Sequence, residues 1–176
     1  MIIGLSGYAR SGKDTVANIL VEDYAFERIA FADPIRELLL QINPFVIDNT
    51  RIYDYVEENG WELAKAHPEV RRLLQSLGVS MREVVDSEIW IETALRKMEY
   101  GKNYVISDVR FLNEANMIDQ FEGQLWRVER PEVIATNSHI SESALDNHGF
   151  SQIIVNDGSI EDLKEKITSF TLAAQN

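Results

Sequence analysis

Met1-Ile2-Ile3-Gly4-Leu5-Ser6-Gly7-Tyr8-Ala9-Arg10-Ser11-Gly12-Lys13-Asp14-Thr15-Val16 opens the chain, and three patterns overlap within it. Ile2–Ser6 is a short apolar run closed by glycine, as expected of a strand buried on both faces. Gly7–Lys13 fits G-x-x-x-x-G-K. Lys13–Tyr24 carries Val16, Ile19, Leu20 and Tyr24 at helical spacing. Strand, glycine loop and helix in that order make a P-loop. The glycines let the backbone curl so that its N–H groups face anionic oxygens, the helix N-terminus adds a favourable dipole, and Lys13 can bridge the outer phosphates. The stretch therefore predicts a nucleoside triphosphate site built from Gly7, Ala9, Arg10, Ser11, Gly12, Lys13, Asp14 and Thr15.

A strict P-loop places Ser or Thr directly after the lysine to hold magnesium; here Asp14 stands there and Thr15 follows. A carboxylate beside phosphates repels them unless it faces magnesium, the ion's water shell or a neighbouring cation such as Arg10. The alternative is that Asp14 only favours the first helical turn through the dipole.

Beyond the loop, strands and helices alternate, which predicts α/β architecture with a mostly parallel sheet and helices on both faces. Five strands are read: Ile2–Ser6, Arg28–Ala32, Tyr104–Ser107, Gln124–Glu129 and Gln152–Val155. Asp33-Pro34 starts a helix through about Gln41, with Asp33 as N-cap and Pro34 at its first position. Pro68–Leu77 reads as a helix stopped near Gly78, followed by capping-box spacing at Ser80–Glu83 and a helix over Glu88–Glu99 capped by Ser87. Leu112–Phe121 and Ser159–Leu172 complete the helices, Asn43–Asn59 has no clear assignment, and Glu132–Gly149 is polar and irregular.

At 176 residues the chain is read as a single domain. It has no cysteine, which excludes disulfides, thiolate zinc sites and a thiol nucleophile, and its three histidines lack zinc-ligand spacing. A net charge of −12 opposes binding to a nucleic-acid backbone or an anionic membrane surface. Arginine outnumbers lysine, 11 to 6, and its planar fork matches phosphate oxygens bidentately. No signal peptide or apolar span is visible, so a cytoplasmic protein is expected.

The chain resembles the deoxynucleoside monophosphate kinases of bacteriophages, small P-loop enzymes related in fold to nucleoside monophosphate kinases. The resemblance rests on Leu5–Thr15, Phe31-Ala32-Asp33-Pro34-Ile35-Arg36, Arg71–Gly78, Ser107-Asp108-Val109-Arg110-Phe111-Leu112-Asn113-Glu114, Trp126–Pro131 and His139-Ile140-Ser141-Glu142. It implies a three-layer P-loop fold with a core at 1–33, 101–130 and 150–176, a helical acceptor-binding insertion at about 34–100, and a lid at about 131–149.

In an open α/β sheet, ligands lie beyond the carboxyl ends of the strands, where Asp33, Asp108, Arg110, Arg130 and Asn156 stand. The resemblance implies that Asp108 orients magnesium, through water, and that Arg36 with Arg71 or Arg72 grips an acceptor monophosphate. Neighbours on a helix point about 100° apart, so one of Arg71 and Arg72 is only solvated. Asp33 is either a cap or an acceptor contact. Arg110 and Arg130, with Lys13, would meet charge developing on the transferred group, and His139 is either a lid contact or solvated. Strand parity gives no reason to include Arg127, and Trp61, Trp90 and Trp126 are assigned to the core.

The implied activity is ATP- and magnesium-dependent phosphorylation of deoxynucleoside 5′-monophosphates by a monomer or homodimer, in host cytoplasm if phage-encoded. Small nucleotides are its expected partners. Dephospho-coenzyme A kinase is the nearest rival, a GTP switch would need an Asn-Lys-x-Asp segment that is missing, and the charge disfavours a polynucleotide end kinase.

Overall fold

The computed structural model describes residues 1–131, 133 and 144–174. Two compact units form, Met1–Ala30 with Lys97–Asn176, and Phe31–Arg96. In chain order the first unit begins with β1 (Ile2–Ser6), α1 (Lys13–Tyr24) and β2 (Phe26–Ile29). The second contains α2 (Asp33–Ile42), β3 (Phe45–Ile47), β4 (Thr50–Arg51), α3 (Ile52–Ala64), α4 (Pro68–Val84) and α5 (Ile89–Leu95). The first resumes with β5 (Asn103–Ile106), α6 (Leu112–Gln120), β6 (Gln124–Glu129), β7 (Gln152–Val155) and α7 (Ile160–Ala174).

The first unit is a five-stranded sheet in the order β2-β5-β1-β6-β7, with every pairing parallel. Alternation along β1 sends Ile3 and Leu5 to one face, where they join Val16, Ile19 and Leu20 of α1, Trp126 and Val128 of β6, and Leu163 and Ile167 of α7. Gly4 lies on the other face, where a Cβ would collide with Ile118 of α6; the missing side chain lets helix and strand approach closely. Ala115 and Ile118 of α6 are fully buried there, so the sheet is covered on both faces.

β2 is found at Phe26–Ile29 rather than at Arg28–Ala32. Its register pairs Phe26 with Asn103 and Ile29 with Ile106, so the ladder runs out where β5 ends, and buried Ala30 and Phe31 lie beyond it. α7 starts on a reciprocal cap. Ser159 Oγ accepts from the Asp162 amide at 3.1 Å, while Asp162 Oδ2 accepts from the Ser159 amide at 2.8 Å.

In the second unit Leu39, Val46, Ile52, Val56, Ala64 and Val70 form a separate core, with Leu73, Leu74 and Leu77 of α4 against it. Three expectations are corrected here. α4 does not stop near Gly78 but continues to Val84, absorbing Ser80–Glu83 into its interior. Gly78 is buried in it, with its carbonyl accepting the Trp90 indole N–H at 3.0 Å and no side chain to crowd Ile35 of α2, which a Cβ would meet at 3.2 Å, tertiary packing that outweighs weak helix propensity. α5 is shorter than expected, and Glu88 rather than Ser87 occupies its N-cap position, the Glu88 amide being held by Asp86 Oδ1 at 2.8 Å. α2 begins at Asp33 itself, with Ala32 at the cap position. The unassigned segment holds the antiparallel β3–β4 hairpin, turned at Asp48 with φ +42°, and the first part of α3. Among the described residues no helix is long and apolar enough to cross a membrane.

Candidate functional site

β1 delivers the chain at Gly7 to a loop that closes on the first turn of α1. Gly7, Arg10 and Gly12 all have positive φ (141°, 69° and 106°), and this run of left-handed turns makes the loop concave. At Gly12 a Cβ would be strained by the backbone angle and would also overlap the Asn156 carboxamide. Lys13 Nζ folds back to donate to the carbonyls of Gly7 and Tyr8 at 2.7 and 2.8 Å. The Tyr8 carbonyl also accepts from the Ser11 amide at 3.2 Å. Ser11 Oγ is buried with no hydrogen-bond partner among the described residues, a polar atom for which a bound anion would supply an acceptor.

Asn156, at the carboxyl end of β7, reaches the loop with its side chain and meets loop backbone. Its Nδ2 donates to the Ser11 carbonyl at 2.9 Å, and its own amide donates to Glu129 O at 2.7 Å. Asp14 is exposed at the start of α1. Its neighbouring cation is Arg28, not Arg10: Arg28 Nη2 lies 3.1 Å from Asp14 Oδ1, and Arg28 Nε donates to Ser107 Oγ at 3.1 Å. Arg28 thus ties the start of α1 to the end of β5. A charged residue inside an apolar strand run was its only signal in the sequence.

Ser107 and Asp108 follow β5, anchored as the Ser107 amide donates to Ile29 O and the Val109 amide to Leu5 O, both at 3.0 Å. Glu114, 1% exposed on α6, points its Oε2 back at the amides of Arg110 and Phe111 at 2.6 and 3.0 Å. A buried carboxylate thereby fixes the backbone from which the half-buried Arg110 side chain projects. Arg130 is exposed just past β6, its carbonyl accepting from the Val133 amide at 2.9 Å. His139 lies outside the described residues.

Arg127, not assigned to the site from sequence, is buried beside the loop. Its Nη2 sits 2.9 Å from Asp146 Oδ1, and its guanidinium lies over the rings of Tyr8 at 4.8 Å and Phe150 at 5.5 Å. Tyr8 donates its hydroxyl to the other Asp146 oxygen at 2.9 Å. That bond, followed by partial burial and the Asp146 charge, pushes the Tyr8 phenol above its ordinary value, while Arg127 opposes the shift. A lone arginine in the run Leu125-Trp126-Arg127-Val128 was the available clue, because a buried guanidinium has to be paired.

In the second unit Asp33 accepts from Arg36 Nη1 at 3.3 Å, and the Arg36 guanidinium lies 5.6 Å from the centre of the Trp61 ring. Arg72 forks onto Glu69 at 2.6 and 2.8 Å, and that hydrogen bonding holds the Glu69 carboxyl below its usual range. Arg71 is also exposed and makes no ion pair among the described residues. Of the adjacent arginines, Arg72 is therefore the one engaged locally. Among the described residues no group of three metal-ligating side chains converges.

Comparison with known proteins agrees with the fold. The solved dephospho-CoA kinase from Campylobacter jejuni superposes with a TM-score of 0.50 over 98% of this chain and 96% of its own, at 13% identity, a likeness of fold alone. The deoxynucleotide monophosphate kinase of Enterobacteria phage T4 is 24% identical over 232 aligned positions, covering 94% of this chain and 96% of its own length. A protein of Acanthamoeba polyphaga mimivirus, named for the same activity, is 28% identical over 192 positions, 96% of this chain and 95% of its own. The family profile described as deoxynucleotide monophosphate kinase matches residues 1–65 and 46–167. With a phosphate loop between β1 and α1 and a match over nearly its whole length, this chain belongs to the deoxynucleotide monophosphate kinase family.

Proposed function

We propose that the protein transfers the terminal phosphoryl group of ATP to the phosphate of a deoxynucleoside 5′-monophosphate, yielding ADP and the deoxynucleoside diphosphate. The observation that carries this reading is the phosphate loop, with its positive-φ turns, its lysine and its orphaned Ser11 hydroxyl, in a chain of this family. An acceptor phosphate oxygen attacks the terminal phosphorus, the bond to the bridging oxygen breaks, and ADP leaves with that electron pair. No covalent enzyme intermediate is needed, so the protein's work is positioning and charge stabilisation.

Loop amides and Lys13 hold the donor phosphates, and Asn156 acts on them through the Ser11 carbonyl. Arg110 and Arg130 supply positive charge that matters most as negative charge spreads over the transferring group. Arg36, preset by Asp33, and Arg71 bind the phosphate of the acceptor. Asp108, Asp14 and the Thr15 hydroxyl are hard oxygen donors of the kind magnesium accepts alongside phosphate oxygens and water. Magnesium bound there would neutralise phosphate charge. The reactants are small nucleotides, and the reaction belongs in the cytoplasm that holds them.

The test is ADP formation from ATP in the presence of each deoxy- and ribonucleoside monophosphate, with dephospho-coenzyme A included. The expected result is ADP that appears only with deoxynucleoside monophosphates, matched by their diphosphates. ATP turnover independent of those acceptors, or specific to dephospho-coenzyme A, would refute the reading.

A further inference from the structure

Tyr8 is held at both ends. Its hydroxyl donates to Asp146 Oδ2 at 2.9 Å, and its ring lies under the Arg127 guanidinium, which holds the other Asp146 oxygen at 2.9 Å. Its carbonyl accepts from Lys13 Nζ at 2.8 Å and from the Ser11 amide at 3.2 Å. Glu129 Oε1 lies 3.8 Å from Arg127 Nε on its other side, so a cluster of two carboxylates, one guanidinium and one phenol ends on the loop residue that helps to position the lysine.

The cluster is costly to build. The Arg127 side chain is only 8% exposed, against 32% for Asp146, and burying the guanidinium has a penalty that an apolar filling would avoid. What the polar version supplies is direction. Tyr8 sits in a glycine-rich loop whose backbone is otherwise permissive, and bonds at the hydroxyl and carbonyl leave the residue a single arrangement.

We propose that Arg127 and Asp146 are positioning residues which act through Tyr8 on the phosphate loop and set its affinity for the triphosphate donor. The inference rests on the reading of this loop as the donor site. A loop already held in its binding shape loses less conformational freedom when the anion arrives, so loosening the cluster raises the donor dissociation constant. The acceptor has no part in this, and its KM stays the same.

A rival cause predicts the opposite sign for one variant. If the cluster acted only by charge, Asp146→Asn would leave Arg127 with only Glu129, whose Oε1 lies 3.8 Å from its Nε, as a counter-charge, and the added net positive charge would tighten donor binding. Tyr8→Phe, which changes no charge, would then do nothing.

The experiment is an equilibrium titration with ATP and magnesium, without acceptor, of Tyr8→Phe, Asp146→Asn and the double variant, accompanied by acceptor KM and Tm. Each single substitution is expected to raise the donor dissociation constant about threefold to tenfold, the loss of roughly one hydrogen bond. The double variant is expected to be no worse than the weaker single one, because both break one chain of contacts. Wild-type donor affinity in Tyr8→Phe, additive losses in the double variant, or tighter binding by Asp146→Asn would each overturn the proposal, and should Asp146→Asn not fold, Tyr8→Phe decides alone. Lys13→Ala in the same titration reports on the underlying reading. If it weakens ATP while Tyr8→Phe does not, the cluster's role falls alone; if it too binds as wild type, the loop is not the donor site.

Discussion

Replacing Glu114 separates the backbone support of Arg110 from the arginine itself. The carboxylate is 1% exposed, and a single oxygen, Oε2, takes the Arg110 and Phe111 amides at 2.6 and 3.0 Å. Glu114→Ala leaves both amides without this acceptor, and at about 1–3 kcal/mol for each stranded group the loss comes to about 4 kcal/mol of stability. Glu114→Gln keeps the shape and an acceptor oxygen. It exchanges charge-assisted bonds for neutral ones about half as strong while relieving the burial of a charge, for a net cost of about 1 kcal/mol. Urea unfolding measures both. Because the weakened contact carries the Arg110 backbone, Glu114→Gln is also expected to lower kcat about tenfold, the equivalent of about 1.4 kcal/mol. In an Arg110→Ala background it should lower kcat no further. The reasoning is refuted if Glu114→Ala costs no more than an ordinary surface change, or if Glu114→Gln slows the Arg110→Ala enzyme as much as it slows the wild type.

Three further outcomes are expected. Gly12→Ala imposes a side chain at φ +106° and displaces the Asn156 amide from Ser11, so stability measured by urea unfolding should fall by about 2–3 kcal/mol, and ATP affinity measured by titration should fall with the distortion of the loop. Arg36→Ala should raise the acceptor KM with little change in kcat, whereas Arg130→Ala should lower kcat about a hundredfold and leave ATP binding intact, a split that steady-state kinetics reads directly. Asp162 is held below its ordinary value by the Ser159 amide first and the Ser159 hydroxyl second. A depressed carboxylate stabilises above its unfolded pKa, so Asp162→Asn should lower Tm at neutral pH, and the difference from wild type should close as pH falls through the acidic range below about 4.

The opening strand, loop and helix were legible because each carries its own local signal: an apolar run, glycines at fixed offsets and a helical stripe. The parallel sheet followed from the alternation of elements. The β3–β4 hairpin was not legible, since strands of three and two residues are too short to show alternation, and Asp48-Asn49 was the only turn signal. Gly78 misled because its missing side chain makes room for Ile35 of α2, which a Cβ would meet at 3.2 Å, a packing reason made from another helix. Arg28, Arg127 and Asp146 were missed for a related reason. Their roles depend on partners distant in sequence, such as Tyr8 and Asp146, 138 residues apart, and no local period encodes such a pairing.

The route of the chain also bears on how such proteins change length. It leaves the sheet after β2 at Ala30, folds the whole second unit, and re-enters at Lys97 to form β5, the strand that pairs with β2. Both ends of the excursion are thus pinned by one ladder, whatever lies between them. For a closed segment of this kind, each doubling of length adds only about 0.6 kcal/mol of closure entropy. Extra residues there would leave the β2–β5 register and the phosphate loop undisturbed. An insertion placed between Ala30 and Lys97 would therefore spare the sheet, because its cost is confined to the closure of one loop.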